Sequence, residues 1–417
     1  MRKNLVIILL IATSLVARSQ TNNSPYSVLG IGDIEDSYFN RATGLANTGI
    51  AYRNNRNLIN NNPASLSALE NQFFIGEIGL RAKYVTYTGS SVDPYNNTSF
   101  DITFRRFAFG TKIGKHWGTT VGLMPFSSEN YEFNVQQPIQ GSIGETANAY
   151  YQGYGGVNKV YWANAYEFFH HISLGLTTSY LFGSINQKSI IQNPIVPSAY
   201  ASTNKNIFLS NFYLDYGLQL FGKIGKTWDY TLGATFANKT DLNAQYTVLI
   251  LGQDSSILKN ATIQQTYFTL PNTYGAGISL TKNKKYTFLA DYKFQQWSPL
   301  NYSGFNYSLE DSYRASIGFE ISQKKNVYNS IIENNYFQFG LYYGETYLNV
   351  YGTQIKDMGV TAAVGINAKR SPMQWALTFN YGITGTQQSK LVQLNYLNIG
   401  ILISYRDFWY TKGKRFN

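Results

Sequence analysis

The chain has 417 residues, no cysteine and a formal net charge of +11, with 14% charged residues against 35 Tyr, 26 Phe and 36 Gly. Without cysteine neither a disulfide framework nor a lipoprotein anchor is possible, and the aromatic, glycine-rich balance favours strands over helices. A basic surface condenses on nucleic acid, but an export signal excludes that partner here, and the charge instead suits placement against acidic lipid headgroups.

That signal occupies residues 1–19. Arg2 and Lys3 precede an apolar run from Leu5 to Val16 and a small-x-small end at Ala17-Arg18-Ser19, which predicts cleavage before Gln20. The run is short of the ~20 residues that a spanning helix needs. Residues 20–40 follow as an arm without periodicity, carrying Ser24-Pro25-Tyr26-Ser27 and Gly30-Ile31-Gly32-Asp33, and are expected to lie extended on the periplasmic or luminal side.

Residues 41–70 are neither strand-like nor an amphipathic helix. Gly44, Ala46, Gly49 and Ala51 suit close packing, while Asn54, Asn55, Asn57, Asn60, Asn61 and Asn62 supply amides that a polar lumen satisfies. Asn62 before Pro63 reads as an N-cap with proline at the first helical position, opening a short helix to Leu69. This segment is expected to be a hatch inside a barrel, with Arg41, Arg53 and Arg56 reaching its wall.

Residues 71–410 read as amphipathic strands. Phe74, Ile78, Leu80, Ala82 and Tyr84 share one parity against Glu77, Gly79, Arg81 and Lys83, one face for lipid and one for water. The pattern recurs at Tyr286 to Gln295, at Tyr313 to Ser322 and at Trp375 to Thr384. The inward parity is polar or small, unlike the apolar core of a sandwich. Arg105-Arg106 breaks its strand's parity, which predicts a β-bulge.

Short connections are expected at Gly114 to His116, Glu167 to His170, Gly225 to Thr227, Lys282 to Lys285, Gln323 to Asn335 and Lys369 to Pro372. Longer ones are expected at Gly89 to Thr98, Asn134 to Asn148, Ser189 to Lys205, Gly252 to Asn260, Ser298 to Glu310, Asn349 to Gln354 and Gly385 to Lys390. Their alternation gives a transmembrane antiparallel β-barrel of about 14 strands, with short turns in the periplasm. Tyr246 to Leu251 extends a strand or forms a loop hairpin, which leaves the count open by about two. Leu391 to Tyr405 closes the barrel, Phe408-Trp409-Tyr410 caps it with interfacial aromatics, and residues 411–417 form a basic tail.

The stretches Gly44-Leu45-Ala46-Asn47-Thr48-Gly49-Ile50-Ala51 and Asn62-Pro63-Ala64-Ser65-Leu66 are similar to the small-residue hatch repeat and the Asn-Pro-Ala segment of the FadL family. These are outer-membrane barrels for long-chain fatty acids and other hydrophobic compounds. The resemblance implies 14 strands, a luminal hatch and a kinked third strand that opens into the bilayer. Pro125, in the third expected strand, is the candidate for that lateral opening, and a plain bulge or a bend above the membrane is the alternative.

The chain carries no motif with a catalytic mechanism, so no enzyme activity and no cofactor are expected. The histidines are His116, His170 and His171, all in expected periplasmic turns, and sequence spacing gives them no metal-ligand pattern. Glu77, Arg81, Lys83, Asp101, Arg105, Asp215, Asp291, Lys293, Arg314 and Glu320 are the expected luminal charges. They form either a selectivity surface or, preferably, a network paired with the hatch.

Basic turn residues such as Lys115, Lys226 and Lys285 face lipid or a periplasmic protein. Expected partners are outer-membrane lipids and lipopolysaccharide, a hydrophobic ligand, or envelope proteins. The leading expectation is transport of hydrophobic small molecules past the hatch. The rival is a non-transporting barrel serving as a subunit of a larger outer-membrane secretion or assembly complex, and a passive aqueous pore comes third.

Overall fold

The computed structural model describes residues 24–408 apart from 36, 91, 93, 94, 96, 139–145, 193–199, 253–255, 305, 328, 329 and 369–371. The expected signal peptide, Trp409, Tyr410 and the basic tail, and the turn residues Lys369 and Arg370, lie outside the described residues.

Fourteen antiparallel strands close into a barrel. They are β1 (Phe73–Thr88), β2 (Thr98–Ile113), β3 (Trp117–Pro138), β4 (Thr146–Phe168), β5 (Ile172–Gln192), β6 (Tyr200–Ile224) and β7 (Trp228–Ala237). The second half comprises β8 (Asn272–Lys282), β9 (Tyr286–Gln296), β10 (Ser312–Val327), β11 (Ser330–Val350), β12 (Thr353–Asn367), β13 (Met373–Thr384) and β14 (Gln393–Phe408). The last strand meets the first from Gln393 opposite Thr88 to Phe408 opposite Phe73, so neither of these two strands leaves a free edge.

Alternation dictates the two faces. Trp375, Leu377, Phe379 and Tyr381 of β13 are exposed, whereas Ala376 and Thr378 between them are buried against the lumen. Phe288 and Tyr292 of β9 and Ile317 of β10 face outward in the same way, with Thr287, Ser316 and Glu320 inside. An apolar exterior around a polar, filled interior is the arrangement a bilayer selects. No helix among the described residues is long and apolar enough to cross a membrane.

The strands are unequal. β4, β5 and β6 have 23, 21 and 25 residues, about twice the 9–11 that a bilayer requires. They rise well past the membrane at the long-loop end. In the connections expected at Asn134 to Asn148 and Ser189 to Lys205, the described residues are therefore strand, because β3 continues to Pro138, β4 begins at Thr146, β5 continues to Gln192 and β6 begins at Tyr200.

Tyr246 to Leu251 belongs to a hairpin (Thr240–Leu251 with Ile257–Leu270) that extends the wall beside the outer half of β6 and adds nothing to the barrel count. At the opposite end, the turn expected over Gln323 to Asn335 is mostly strand, since β10 reaches Val327 and β11 begins at Ser330. Polar, lysine-rich composition there mimicked a loop, and the register shift between Gln323 and Lys324 breaks the alternation that would have marked a strand.

The N-terminal region fills the lumen. Its elements are three 3-10 helices (Pro25–Val28, Arg41–Leu45 and Pro63–Ala68) and a two-residue strand, Asp33–Ile34. Asn62 caps the third helix as expected, its Oδ1 accepting from the Ala64 amide at 3.0 Å with Pro63 at the first position. Ala42, Leu45, Ala51, Leu58 and Leu66 are wholly buried. Toward the long-loop end, Tyr26 and Ile31 of the arm join an apolar cluster with Phe268, Trp297 and Tyr347 that covers the mouth.

Candidate functional site

The site is the boundary between the luminal segment and the wall. Arg41 sits at its centre with about 2% of its surface exposed. Its guanidinium donates Nε to Glu320 Oε2 at 3.1 Å and Nη2 to Glu320 Oε1 at 2.8 Å. It also donates Nη1 and Nη2 to the two carboxylate oxygens of Glu333 at 2.7 and 2.6 Å. The planar fork of arginine is what permits two bidentate carboxylates around one cation. Tyr52 and Gln338 donate to the remaining lone pairs of Glu320 at 2.8 and 2.6 Å, and the Tyr336 ring stacks 3.9 Å from the guanidinium carbon. Burial works against the Arg41 charge, yet Glu320 and Glu333 hold its pKa well above the usual arginine value.

A second node lies across the lumen. The bulge expected at Arg105-Arg106 is present: Gly79 pairs with Arg106 and Leu80 with Phe104, leaving Arg105 as the extra residue. The extra residue turns both guanidiniums inward. Arg106 meets Glu77 at 3.2 Å with both side chains fully buried, and donates to the carbonyls of Tyr38 and Leu58 and to Asn60. Arg105 pairs with Glu35 of the arm at 2.5 Å, and Arg81 joins the same carboxylate at 3.3 Å. Burial alone would raise the Glu35 pKa, but Arg105 and Arg81 outweigh it and hold the carboxyl well below the ordinary range.

Some of the other expected residues also meet the luminal segment, and others pair within the wall. Asp291 accepts from the amides of Gly49 and Ile50 at 2.7 and 2.9 Å. Arg53 spans Gln219, Ser67 and Glu167, and stacks on Phe221. Asn62 Nδ2 donates to the carbonyls of Ile50, Leu218 and Ala234. Gly44 approaches the wall so closely that a Cβ there would lie 2.3 Å from Ala363 Cβ.

Asp215 pairs with Lys159 and Arg314 with Asp357, each within the wall. Lys83 Nζ lies 5.6 Å from the Tyr396 ring centroid. Asp101 is buried, and Lys293 lines both cavities described below. Arg56 is half-buried, its amide capped by Asn54.

Sequence reasoning missed Glu35, Arg106, Lys159 and Glu333. The last was hidden in the expected turn, and Arg106 carried a usable signal in its adjacency to the bulge.

Pro125 marks a seam. β2 and β3 pair only from Phe107 opposite Leu123 to Ile113 opposite Trp117. Beyond Leu123 the edge of β3 leaves β2, and a bulge at Phe126 follows, with Pro125 opposite Asn158 and Ser127 opposite Val157. The arm strand occupies this edge: Asp33 pairs with Ser128 and Ile34 with Ser127, and the Glu35 amide donates to the Phe126 carbonyl at 2.9 Å. Glu35 therefore joins β3 through its backbone and the inward arginines of β1 and β2 through its side chain, spanning the seam.

A cavity of about 280 Å³ beside the arm is lined by Asp33, Glu35, Lys83, Lys293, Arg314 and Asp357 among others. A second, of about 110 Å³, lies between Tyr38, Lys159, Asp215 and Tyr213.

Fold and site define the class: a 14-stranded β-barrel with an apolar exterior and a filled lumen, of the fold seen in FadL-like barrels. The fold is shared with the CymD monoaromatic hydrocarbon channel (14% identity, 92% of this chain and 99% of that one, TM-score 0.59). It is shared equally with the toluene transporter TodX of Pseudomonas putida (14%, 91% and 100%, 0.58) and with a FadL homologue of Pseudomonas aeruginosa (10%, 88% and 98%, 0.57). The family model that matches is BamG, over residues 1–417, and the chain belongs to the BamG family. No curated protein matches it.

Proposed function

We propose that the protein is a FadL-like barrel whose lumen is permanently filled and which acts as a subunit of a larger outer-membrane protein assembly or secretion complex. The observation that carries this reading is the boundary itself. Residues 33–69 are tied to the wall by buried ion pairs at Arg41 and Glu35, and the cavity beside them is lined by charge. Hydrophobic ligands take pockets of about 300–1,000 Å³ lined mostly by apolar side chains. The family whose model spans the chain is named BamG, not for a transported compound, and the tall wall of β4, β5 and β6 offers a partner a surface beyond the lipid.

Gentle detergent extraction followed by native mass spectrometry tests the reading. Stoichiometric protein partners are expected, and a barrel that migrates alone after mild extraction overturns it.

One observation favours a second reading, hatch-gated transport of hydrophobic compounds with lateral release: the seam at Pro125 is where such a compound would leave. The fold neighbours named for toluene and monoaromatic hydrocarbons share the architecture. In this reading purified protein carries acyl or aromatic ligands and its loss slows their uptake. A delipidated sample that binds none, with uptake unchanged in its absence, dismisses it.

A further inference from the structure

At the short-turn rim the fold brings together residues that sequence spacing left apart. His116 ends the turn between β2 and β3, Glu167 lies near the end of β4, and His170 lies in the turn between β4 and β5. One ligand atom from each of the three lies within 4.8 Å of the others. Neighbouring strands hold the set: the Glu167 amide donates to the His116 carbonyl at 3.0 Å, and the two imidazole centroids are 5.5 Å apart at 51°. The chain has three histidines in all, and two of them meet at one carboxylate.

One further observation separates this cluster from an ordinary polar rim, and the turn geometry, which recurs at Asn283 and Lys284, serves only to position His170. His116 Nδ1 is buried and makes no hydrogen bond, whereas a buried ring nitrogen ordinarily finds a partner. The turn that carries His170 places Phe169 and His170 at φ +48° and +59°, closed by the His171 amide on the Phe168 carbonyl at 3.2 Å. Two consecutive positive φ angles suit Asn-Gly. A bulky phenylalanine and a histidine in those positions hold the imidazole beside β4 at a local conformational cost.

We propose that His116, Glu167 and His170 form a divalent transition-metal site, with zinc the fitting ion, at the periplasmic rim of the barrel. Two imidazoles and one carboxylate are a ligand set zinc accepts, with a fourth position left for water or an incoming group. Tetrahedral zinc at about 2.0–2.2 Å from each ligand sets them about 3.4 Å apart, so the side chains close inward slightly on binding. Arg53 Nη2 lies 3.6 Å from Glu167 Oε2 and competes for this carboxylate, so occupancy of the site draws Glu167 from the luminal segment toward the rim. His171 is outside the set, its Nδ1 lying 3.2 Å from the Phe221 carbonyl.

The test uses untagged, chelator-stripped full-length protein in detergent, titrated with Zn²⁺ by calorimetry and with Co²⁺ by visible absorption. One equivalent is expected to bind, with the visible bands of tetrahedral cobalt. His116→Gln and His170→Gln are each expected to weaken Zn²⁺ at least tenfold, and His171→Gln to leave binding unchanged. Heat-modifiable migration in gels certifies that each variant is a folded barrel. Absence of binding by the folded wild type overturns the site. So does binding that survives both cluster variants, or that falls equally in His171→Gln.

Discussion

Replacing Arg41 by alanine removes the cation that bridges Glu320 and Glu333. The two carboxylates then remain in a site where their side chains are 4% and 7% exposed, with Tyr52, Gln338 and Ser322 as remaining donors. Removing one partner of a buried ion pair costs about 3–5 kcal/mol, because the other charge stays desolvated. If that cost falls on docking of the luminal segment, local opening becomes more frequent by about 10² to 5 × 10³, at 1.36 kcal/mol per tenfold.

Hydrogen exchange read by mass spectrometry on protein in lipid nanodiscs measures this directly. The amides of Thr43, Asn47 and Thr48, which donate to Asn40, Ala42 and Leu45, are expected to exchange faster by that factor, while those of β13 and β14 are unchanged. Adding Glu320→Gln and Glu333→Gln to the alanine variant is expected to restore much of the protection, since neutral amides tolerate the site. Exchange in residues 41–48 that stays at the wild-type rate in a folded Arg41→Ala barrel refutes the reasoning.

Deleting residues 41–69 is expected to turn a nearly non-conducting barrel into an open pore in planar bilayers; wild-type-like conductance would show that the segment does not block the lumen. Gly32→Ala is expected to release the arm strand from β3, because φ is +85° there and a Cβ would lie 2.3 Å from the Ser128 carbonyl oxygen. Faster exchange at the Ile34 and Glu35 amides measures it, and unchanged exchange contradicts it.

The arm should also respond to pH. Burial pushes the Asp33 carboxyl up from its usual 3.8 to about 6, against Lys83 and Ser24 and with help from Glu35 and Asp357. A raised folded-state pKa gives docking a contribution that is complete below the usual value and is lost as pH rises through about 6. Glu35 has the opposite sign and changes only in stronger acid. After correction for intrinsic exchange rates, arm amides are expected to be better protected at pH 5 than at pH 7.5. Asp33→Asn should abolish the difference, and a difference that persists in that variant rules the carboxyl out as its source.

Strand positions were legible because a two-residue period, an apolar exterior and glycine or lysine turns agree along most of the wall. The Arg105-Arg106 bulge was legible for the same reason: two adjacent arginines cannot both face inward without one extra residue. The Asn62-Pro63 cap was local and therefore also readable. The partners of Arg41 were not.

Glu320 and Glu333 lie 279 and 292 residues away, and only closure of the barrel brings them to the hatch. Strand length failed for a different reason. Beyond the membrane β4, β5 and β6 no longer need an apolar face, so polar residues such as Asn204 and Lys205 of β6 lose the contrast on which period detection depends. The rim cluster of His116, Glu167 and His170 was hidden by topology, since a turn and its neighbour become adjacent only when β3 pairs with β4.

The energetics of the boundary also bear on what could move the luminal segment. A ligand shifts an equilibrium only by its differential affinity for the two states. A hydrophobic compound of about 20 heavy atoms binds with about 0.3 kcal/mol per atom, about 6 kcal/mol in total. Undocking residues 33–69 breaks Arg41 from two carboxylates and Glu35 from two arginines; at about 3–5 kcal/mol for each buried centre, these two already match or exceed that sum. It also strips the Asp291, Asn62 and Arg106 contacts. A protein partner burying about 1,600 Å² commands far more interaction energy than a small ligand. In the proposed reading, displacement of this segment is therefore the work of a macromolecular neighbour, and a small compound passes around it or not at all.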